Sequence, residues 1–303
     1  MSCTRVDMFG LSPGRGSALD VLVPDGACPW DTEAVSAHVN DTDADETALV
    51  VSCTERTFAT RVFHPGGETP FGTHSMAGVA ACLVAGGRLA PGSGQVAQTT
   101  PHGLQRIWTD GHRVRVPFHG PAVHHGVEID PGLLSPYAGE AIGAGVGRRF
   151  TLIRVEEDPR DLPAPDPVSM RKTGLTDLTL FRWDPGRRHM TARVFAPGFG
   201  FPEDAGCLPA ASALGVAALD LDPASHGVPV TVAQVTARGT ESAFTCTGSI
   251  ADGTADLEVT GRVWVPGHLP DRDVRPDTPR SSEHGTPSPR STSREWSVVH
   301  RSE

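Results

Sequence analysis

Two stretches of the sequence decide the fold: TRVFHPGGETPFGTHSMAGVAACLV at residues 60–84 and ARVFAPGFGFPEDAGCLPAASALGVAAL at residues 192–219. Each stretch begins with a β-like RVF segment, passes through a turn that contains glycine and acidic residues, and ends in a run of small apolar residues. RVFHPG at residues 61–66 thus recurs as RVFAPG at residues 193–198, with the same order of elements behind it. This recurrence predicts a duplicated fold with two similar halves.

The small apolar runs predict two helices, over residues 75–86 and 209–219. Proline at the start of the second run suits a first helical turn. Almost no polar residue interrupts either run, and a helix that is apolar on every side must be enclosed. We therefore expect each helix to run through the middle of one half, with strands around it. A third helix is expected at residues 32–40, capped by Asp31.

Other segments are rich in branched residues and bounded by glycine, proline or aspartate, which predicts strands. These segments are residues 47–53, 113–118, 150–155, 178–183, 228–235 and 257–265. From about residue 270 onward, large aliphatic residues are almost absent, so burial cannot offset the ordering entropy of the chain. The predicted organisation is an N-terminal lobe at residues 1–120, a C-terminal lobe at residues 121–268 and a disordered tail at residues 269–303.

Composition narrows the possible function classes. The chain has 36 acidic residues against 26 lysines and arginines, with no basic cluster that would bind nucleic acid. The longest apolar run, residues 76–85, is about half as long as a membrane span, and the first residues lack the apolar core of a signal peptide. We expect a cytoplasmic protein that binds neither nucleic acid nor membrane.

Few sequence patterns indicate a metal or a nucleotide. Six scattered cysteines without a CxxC pair are expected to be free thiols, and no HExxH pattern occurs, so no metal site is expected. The glycine-rich segment 143–147 lacks the context of a dinucleotide site and is predicted to be a flexible loop.

The two quoted stretches resemble the paired blocks RxFxPxxExPFxGHP and RxFxPxxGxxEDxATGSA of the PhzF family of phenazine-biosynthesis isomerases, in the same order and at a similar separation. This family is a branch of the diaminopimelate epimerase superfamily. Weaker matches lie at residues 7–24, 45–51 and 227–242. The resemblance implies an α+β fold of the diaminopimelate-epimerase type, with two pseudo-symmetric lobes. Each lobe would be a curved, mostly antiparallel sheet around a central helix.

The same resemblance implies an active site in the cleft between the lobes and a homodimeric assembly. The activity implied is cofactor-free proton transfer on a small carboxylated substrate, as in the isomerisation of trans-2,3-dihydro-3-hydroxyanthranilate. We expect the pathway to belong to secondary metabolism.

The resemblance assigns the acid/base role to Glu46, ahead of the first block, and assisting roles to His74 and Asp204. Moving hydrogen between two carbons of a conjugated acid needs one group that removes it from the first carbon and delivers it to the second. A carboxylate in water is too weak a base for this, and burial between two lobes strengthens it. Taken without the two blocks, the acidic segment 41–46 is typical of a solvated turn.

The entrances of the two helices are expected to bind the substrate carboxylate through backbone N–H groups. The candidate binding residues are Thr73, Ser75, Gly206 and Cys207. Where the family has GHP and TGS, this chain has THS and CLP. Pro209 has no N–H and Leu208 replaces a glycine, whereas Ser75 adds a hydroxyl to the first entrance. Residues 239–242, GTES, also lack the arginine of the family's GRPS, so we expect a different carboxylate contact or a different ligand.

Two other interpretations stay open. One is a diverged protein that binds a ligand or guides a ring closure by shape without moving a proton. The other is a racemase in which Cys207, at a helix start where the dipole favours a thiolate, opposes Glu46. A two-thiol racemase is excluded because the facing entrance has no cysteine. Glu68 and Glu203, the other acidic residues of the two blocks, are expected to be structural.

Overall fold

The structure is a computed structural model that describes residues 2–24, 32–69, 72–90, 95–100 and 103–268, without the side chain of His74. The strands within these ranges are β1 (Ser2–Met8), β2 (Ser17–Val23), β3 (Glu46–Cys53), β4 (Thr57–His64), β5 (Gly67–Thr69), β6 (Gln95–Thr100), β7 (Gly103–Thr109), β8 (Arg113–Gly126), β9 (Glu140–Val146), β10 (Phe150–Arg154), β11 (Leu178–Asp184), β12 (His189–Ala196), β13 (Phe201–Asp204), β14 (Val230–Val235), β15 (Glu241–Ala251) and β16 (Thr254–Trp264). The helices are α1 (Thr32–Asp41), α2 (Thr73–Ala85), α3 (Pro131–Leu134), α4 (Pro167–Lys172) and α5 (Leu208–Leu221).

The strands close into two rings that share β8 and β16. The first ring runs β8-β7-β6-β4-β3-β2-β1-β16, and the pairing of β16 with β8 closes it. The second ring runs β8-β9-β10-β11-β12-β14-β15-β16 and is closed by the same pairing. The parallel neighbours are β2–β3, β4–β6, β10–β11 and β12–β14, and the other pairs are antiparallel. The predicted α+β class is confirmed.

The second ring repeats the first. Strands β1 to β8 correspond in order to strands β9 to β16. Both β4 and β12 carry the RVF segment, β5 and β13 pair beside them, and α2 and α5 follow. The parallel pairs correspond as well, since β2–β3 matches β10–β11 and β4–β6 matches β12–β14. The two pseudo-symmetric halves expected from the repeat are confirmed.

The boundary between residues 120 and 121 falls inside β8, a strand that both rings share, and it stays a prediction. The predicted tail at residues 269–303 and the predicted cap Asp31 lie outside the described residues.

Each ring surrounds one helix, as the apolar runs predict. Helix α2 packs on β1, β2, β3, β6, β7 and β8, and α5 packs on β8, β9, β14, β15 and β16. Small residues let the strands approach closely: a Cβ at Gly78 would lie 2.6 Å from the Met8 sulfur, and one at Gly215 would lie 3.1 Å from Cβ of Cys246. Burial of these apolar faces stabilises the fold. None of the described helices is both long and apolar enough to cross a membrane.

The six predicted strands correspond to β3, β8, β10, β11, β14 and β16, but the prediction for residues 143–147 is wrong. Residues 143–146 belong to β9, which pairs with both β8 and β10. The glycines there allow close packing rather than flexibility. A Cβ at Gly145 would lie 2.0 Å from the carbonyl oxygen of Arg148.

Candidate active site

A cavity of about 150 Å³ lies where the two central helices begin. Gly72 and Thr73 line it at the start of α2, and Cys207 and Pro209 line it at the start of α5. The charged residues that line the cavity are Glu46, Asp177, Asp204 and Arg148, and the aromatic ones are Phe150, Phe199 and Phe201. Residues from both rings thus meet in one small site.

Glu46, the predicted acid/base, is the first residue of β3 and only 2% exposed. Its strand is held by β2 on one side and β4 on the other, with Leu19 of β2 directly opposite Glu46. The fully buried Ser75 donates a hydrogen bond from Oγ to Oε2 of Glu46. Ser75 stands where the family pattern has proline, so this departure contacts the predicted acid/base directly. A buried carboxyl beside a cavity can exchange a proton with a bound molecule.

Asp204 ends β13 beside the same cavity and is 6% exposed. Its Oδ1 accepts a hydrogen bond of 2.9 Å from the amide of Gly206. Gly206 is packed against the core, because a Cβ at this position would lie 3.2 Å from both Phe9 and Ser17. The amide that sequence reasoning offered to the substrate at Gly206 is therefore used to orient Asp204.

The start of α2 has no side-chain cap. Thr73 lines the cavity there, and the first-turn amides of an uncapped helix can bind an anion. His74 is the second residue of α2, but its side chain lies outside the described part of the structure, so its assisting role stays a prediction.

The start of α5 is occupied by the protein's own hydrogen bonds. The amide of Cys207 donates to Oε1 of Gln234 at 2.7 Å, and Nε2 of Gln234 donates back to the carbonyl of Cys207 at 2.8 Å. Pro209 has no amide hydrogen. Leu208 is fully buried. The entrance of α5 is therefore poorly equipped to hold an anion, as the CLP sequence predicts.

The thiol of Cys207 is not activated. Burial raises its pKa well above the ordinary value, and the negative charge of Asp204 raises it further. The amide of Ala210 acts in the opposite direction but does not compensate. At neutral pH the group is a thiol and not a thiolate, which is unfavourable for a racemase that uses Cys207 as its base.

The strand register gives Glu46 a counterpart in the second half, Asp177. The residues that follow Glu46 and Asp177 pair with equivalent phenylalanines of the two RVF segments. The cross-strand pairs are Thr47 with Phe63 and Leu178 with Phe195. By the same register, Thr69 of β5 corresponds to Asp204 of β13. The cavity is thus built from equivalent positions of the repeat that carry different side chains.

Asp177 and Arg148 form an ion pair at the cavity wall. Nη2 of Arg148 donates to Oδ2 of the buried Asp177 at 2.8 Å, and the amide of Thr151 donates to Oδ1 at 3.2 Å. The guanidinium also lies over the rings of Phe150 and Phe199, at 4.7 and 4.5 Å from their centroids. Sequence reasoning missed both charged residues. Arg148 carries no motif, and the offset of 132 between the RVF segments leads from Glu46 to Leu178, one residue past Asp177, so only the strand register identifies Asp177.

A wider groove of about 650 Å³ adjoins the cavity at Phe201. Its wall includes the ion pair between Arg238 Nη2 and Asp45 Oδ1, which are 2.8 Å apart. Arg238 precedes the GTES segment, so this turn does present an arginine, but it is paired with an aspartate of the other half. His64 also lines the groove, and its ring packs on Phe201 with centroids 5.2 Å apart.

One group of metal-ligand residues occurs among the described residues, formed by Cys3, Asp20 and His38. Asp20 already accepts hydrogen bonds from Arg5 and from the hydroxyl of Thr42, and Nε2 of His38 lies 2.8 Å away. Because Arg5 supplies the positive charge that a metal ion would bring, this group is an ion-pair network. The five described cysteines are free thiols, as predicted, and Cys28 lies outside the described residues.

Comparison with known proteins supports the fold. No family model and no curated protein matches the chain in sequence. Among solved structures, a phenazine biosynthesis protein of the PhzF family from Bacillus anthracis matches with a TM-score of 0.71 and 16% identity, covering 87% of this chain and 96% of its own. The PhzF-family protein of Enterococcus faecalis matches with a TM-score of 0.69 and 17% identity, covering 88% and 97%.

A third similar structure is described as a probable proline racemase from Agrobacterium radiobacter K84 with bound carbonate. It matches with a TM-score of 0.60 and 14% identity, covering 91% of this chain and 94% of its own. These likenesses confirm that the chain has the fold of the PhzF and racemase proteins, as the resemblance of the two blocks predicts.

Proposed function

We propose that the protein is a cofactor-independent isomerase or epimerase that moves a proton on a small carboxylated metabolite. Glu46 is the acid/base, and His74 and Asp204 assist it. The observation that carries this proposal is the position of Glu46, which is buried at a cavity where the entrances of both central helices meet. Solved structures with this fold include proteins described as PhzF, as a predicted epimerase and as a probable proline racemase, which supports an isomerase.

The chemistry requires only groups that the chain supplies. The Glu46 carboxylate takes a proton from a C–H bond next to the conjugated system, and the bonding electrons delocalise into that system. The carboxyl then returns the proton to another carbon, and the carboxylate is restored. In an epimerase, Glu46 keeps the first proton while a second acid, for which Asp204 is the candidate, delivers a proton to the opposite face, and solvent resets both groups. Ser75 orients the carboxyl. The aromatic side chains of the cavity wall exclude water that would exchange with the transferred proton.

Several finer aspects belong to the same proposal. A homodimer, a cytoplasmic location and a role in secondary metabolism follow from the resemblance and from the sequence. The thiol state of the described cysteines fits a reducing compartment. The small volume of the cavity favours a substrate no larger than a single ring with short substituents.

The proposal is tested by incubating the protein with a panel of conjugated ring carboxylates and amino acids in deuterated water and recording exchange at carbon by NMR. We expect the wild type to isomerise at least one of them or to exchange its hydrogen with solvent. Glu46→Gln should lower the rate by about a hundredfold or more, because it removes the group that takes the proton from carbon.

Glu68→Gln is the matched control, since it makes the same change in the exposed ion pair with Arg61. It should retain the wild-type rate. Saturable binding of a panel member with neither exchange nor an isomerised product in the NMR spectrum would contradict the proposal and favour the binding protein. Turnover that survives in Glu46→Gln would remove Glu46 from its role.

A further inference from the structure

We infer that Arg148 holds the carboxylate of the substrate and that Asp177 positions the guanidinium. The inference rests on the proposed function for the reaction that follows binding. It gives the cavity a second, separately testable role, the recognition of an anion.

The charges of the cavity call for a positive group. Glu46, Asp177 and Asp204 line it, and three carboxylates within one small site repel a carboxylated ligand. Among the lining residues that the structure describes, Arg148 is the only one that carries a positive charge. An anionic ligand is therefore attracted to the wall of the cavity that Arg148 forms.

The entrance of α5, which would otherwise be the nearest anion site in this half, is poorly equipped to hold an anion. The amides of Gly206 and Cys207 donate to Asp204 and Gln234, and Pro209 has no amide hydrogen. Arg148 lies in the same half and lines the same cavity. It supplies the hydrogen-bond donors that this helix entrance lacks.

The guanidinium of Arg148 is held in place before any ligand arrives. Its Nη2 donates to Asp177, and the rings of Phe150 and Phe199 fix its plane. Arginine has five N–H donors, so the contact with Asp177 leaves donors for a ligand, and its side chain is half exposed. Such a planar fork binds a carboxylate through two hydrogen bonds with little loss of side-chain entropy.

The pseudo-symmetry of the fold shows that this group is specific to one half. Leu19 pairs with Glu46, and the register of β10 with β11 places Phe150 beside Asp177 in the equivalent way. Two residues before Phe150, Arg148 therefore corresponds to Ser17 of the first half. The second half offers an arginine where the first offers a hydroxyl, so the ligand has one preferred orientation, with its carboxylate towards Arg148 and a carbon towards Glu46.

Small ring carboxylates are suitable for testing this anchor. The cavity has a volume of about 150 Å³, and Phe150, Phe199 and Phe201 form part of its wall. Benzoate and cyclohex-1-ene carboxylate are suitable probes, because each combines a small ring with one carboxylate and has a neutral carboxamide of the same shape.

The test measures binding of benzoate, cyclohex-1-ene carboxylate and the two carboxamides by calorimetry. We expect at least one carboxylate to bind the wild type, and Arg148→Met to weaken it about tenfold to a hundredfold, as for loss of hydrogen bonds to a charged group. Binding of the corresponding carboxamide should change much less. Arg148→Lys, which keeps the charge but not the fork, should give an intermediate affinity.

Arg149→Met is the matched control, because it removes the same charge from an exposed neighbour that is not among the residues lining the cavity. It should bind the carboxylate as the wild type does. The inference is overturned if neither carboxylate binds the wild type at millimolar concentration, if Arg148→Met and Arg149→Met behave alike, or if benzylamine binds more tightly than benzoate.

The binding test is independent of the exchange test. If Arg148→Met loses the carboxylate while Glu46→Gln keeps exchanging hydrogen, the anchor stands and the proposed reaction fails. If Glu46→Gln abolishes exchange while Arg148→Met binds normally, the reaction stands and the anchor fails.

Discussion

The two RVF junctions have nearly the same sequence but differ in how deeply they are buried. In the first half, Arg61 pairs with Glu68 at 2.8 Å, and both side chains are exposed, at 39% and 43%. In the second half, Arg193 pairs with Glu203 at 2.6 Å, and the exposures fall to 4% and 15%. Each arginine also lies over the phenylalanine two residues further on, at 5.1 and 4.9 Å.

The difference shows that one repeated pattern serves two purposes. Arg193 also donates to the carbonyl oxygens of Pro159 and Leu162, so the second junction is a buried anchor for the surrounding loops. At the first junction the arginine pair is peripheral, and the helix that follows directs Ser75 to Glu46. The halves have thus diverged into one side with a buried arginine anchor and one side that carries Glu46 at the cavity.

The largest expected effect is on stability at the buried pair. Arg193→Met should lower the free energy of unfolding by about 3–5 kcal/mol, because Glu203 and two carbonyls lose their partner in a buried site. Arg61→Met should lower it by about 1 kcal/mol or less, since its pair is exposed. Chemical denaturation of the two variants measures both values, and equal losses would show that the two junctions do not differ as described.

The next largest effect is a difference in stability between variants at the entrances of the two central helices. Ser75→Ala removes a buried hydrogen bond to a carboxylate and should lower the free energy of unfolding by about 1.5–3 kcal/mol. Cys207→Ala, at the entrance of the other helix, should change it by about 1 kcal/mol or less, because the Cys207 side chain makes no capping hydrogen bond. A larger loss of stability in Cys207→Ala than in Ser75→Ala would contradict the structural roles described for these two side chains.

A smaller effect is expected on activity at Cys207. Because burial and then Asp204 raise the pKa of this thiol, it should react slowly with iodoacetamide at neutral pH, and Cys207→Ala should retain the exchange rate within about tenfold. The exposed thiol of Cys53 is the internal reference for alkylation, which mass spectrometry locates. Loss of exchange in Cys207→Ala, with ligand protecting the thiol, would restore the thiol racemase.

The smallest effect concerns pH. A hydrogen bond from Arg61 lowers the pKa of Glu68 below its ordinary value of 4.5, against a smaller opposing effect of burial. A lowered pKa in the folded state means that the pair stabilises the protein above that ordinary value, and that this stability is lost as the pH falls through the folded value. Since the pair is exposed, the contribution is at most about 1 kcal/mol. Denaturation between pH 7 and 3 should show it in the wild type and not in Arg61→Met.

Much of the fold could be predicted from the sequence because the repeat and the apolar runs are local signals. The two central helices and six strands were recognisable from composition and spacing. The segment 143–147 was not, because glycines that permit close packing look like those of a flexible loop until their neighbours are known. The closure of each ring through β8 and β16 joins residues far apart in the chain, and no local sequence pattern predicts it.

The candidate site was predictable only in part for the same reason. Glu46, Asp204, Thr73 and Cys207 lie in or next to the two blocks, and all of them line the cavity. The contact of Ser75 with Glu46 and the use of the Gly206 amide by Asp204 depend on side-chain positions in three dimensions. Arg148 lies outside any motif, and only folding brings it to Asp177.

The most direct test of the account follows hydrogen within one molecule of substrate. A substrate identified by the exchange screen would be labelled with deuterium at the migrating position and converted in ordinary water in a single turnover. Because Glu46 is 2% exposed, its proton should exchange slowly with solvent, so we predict that part of the deuterium appears at the new carbon of the product. Product in which water has supplied all of the hydrogen at that carbon would contradict transfer by a single buried carboxyl.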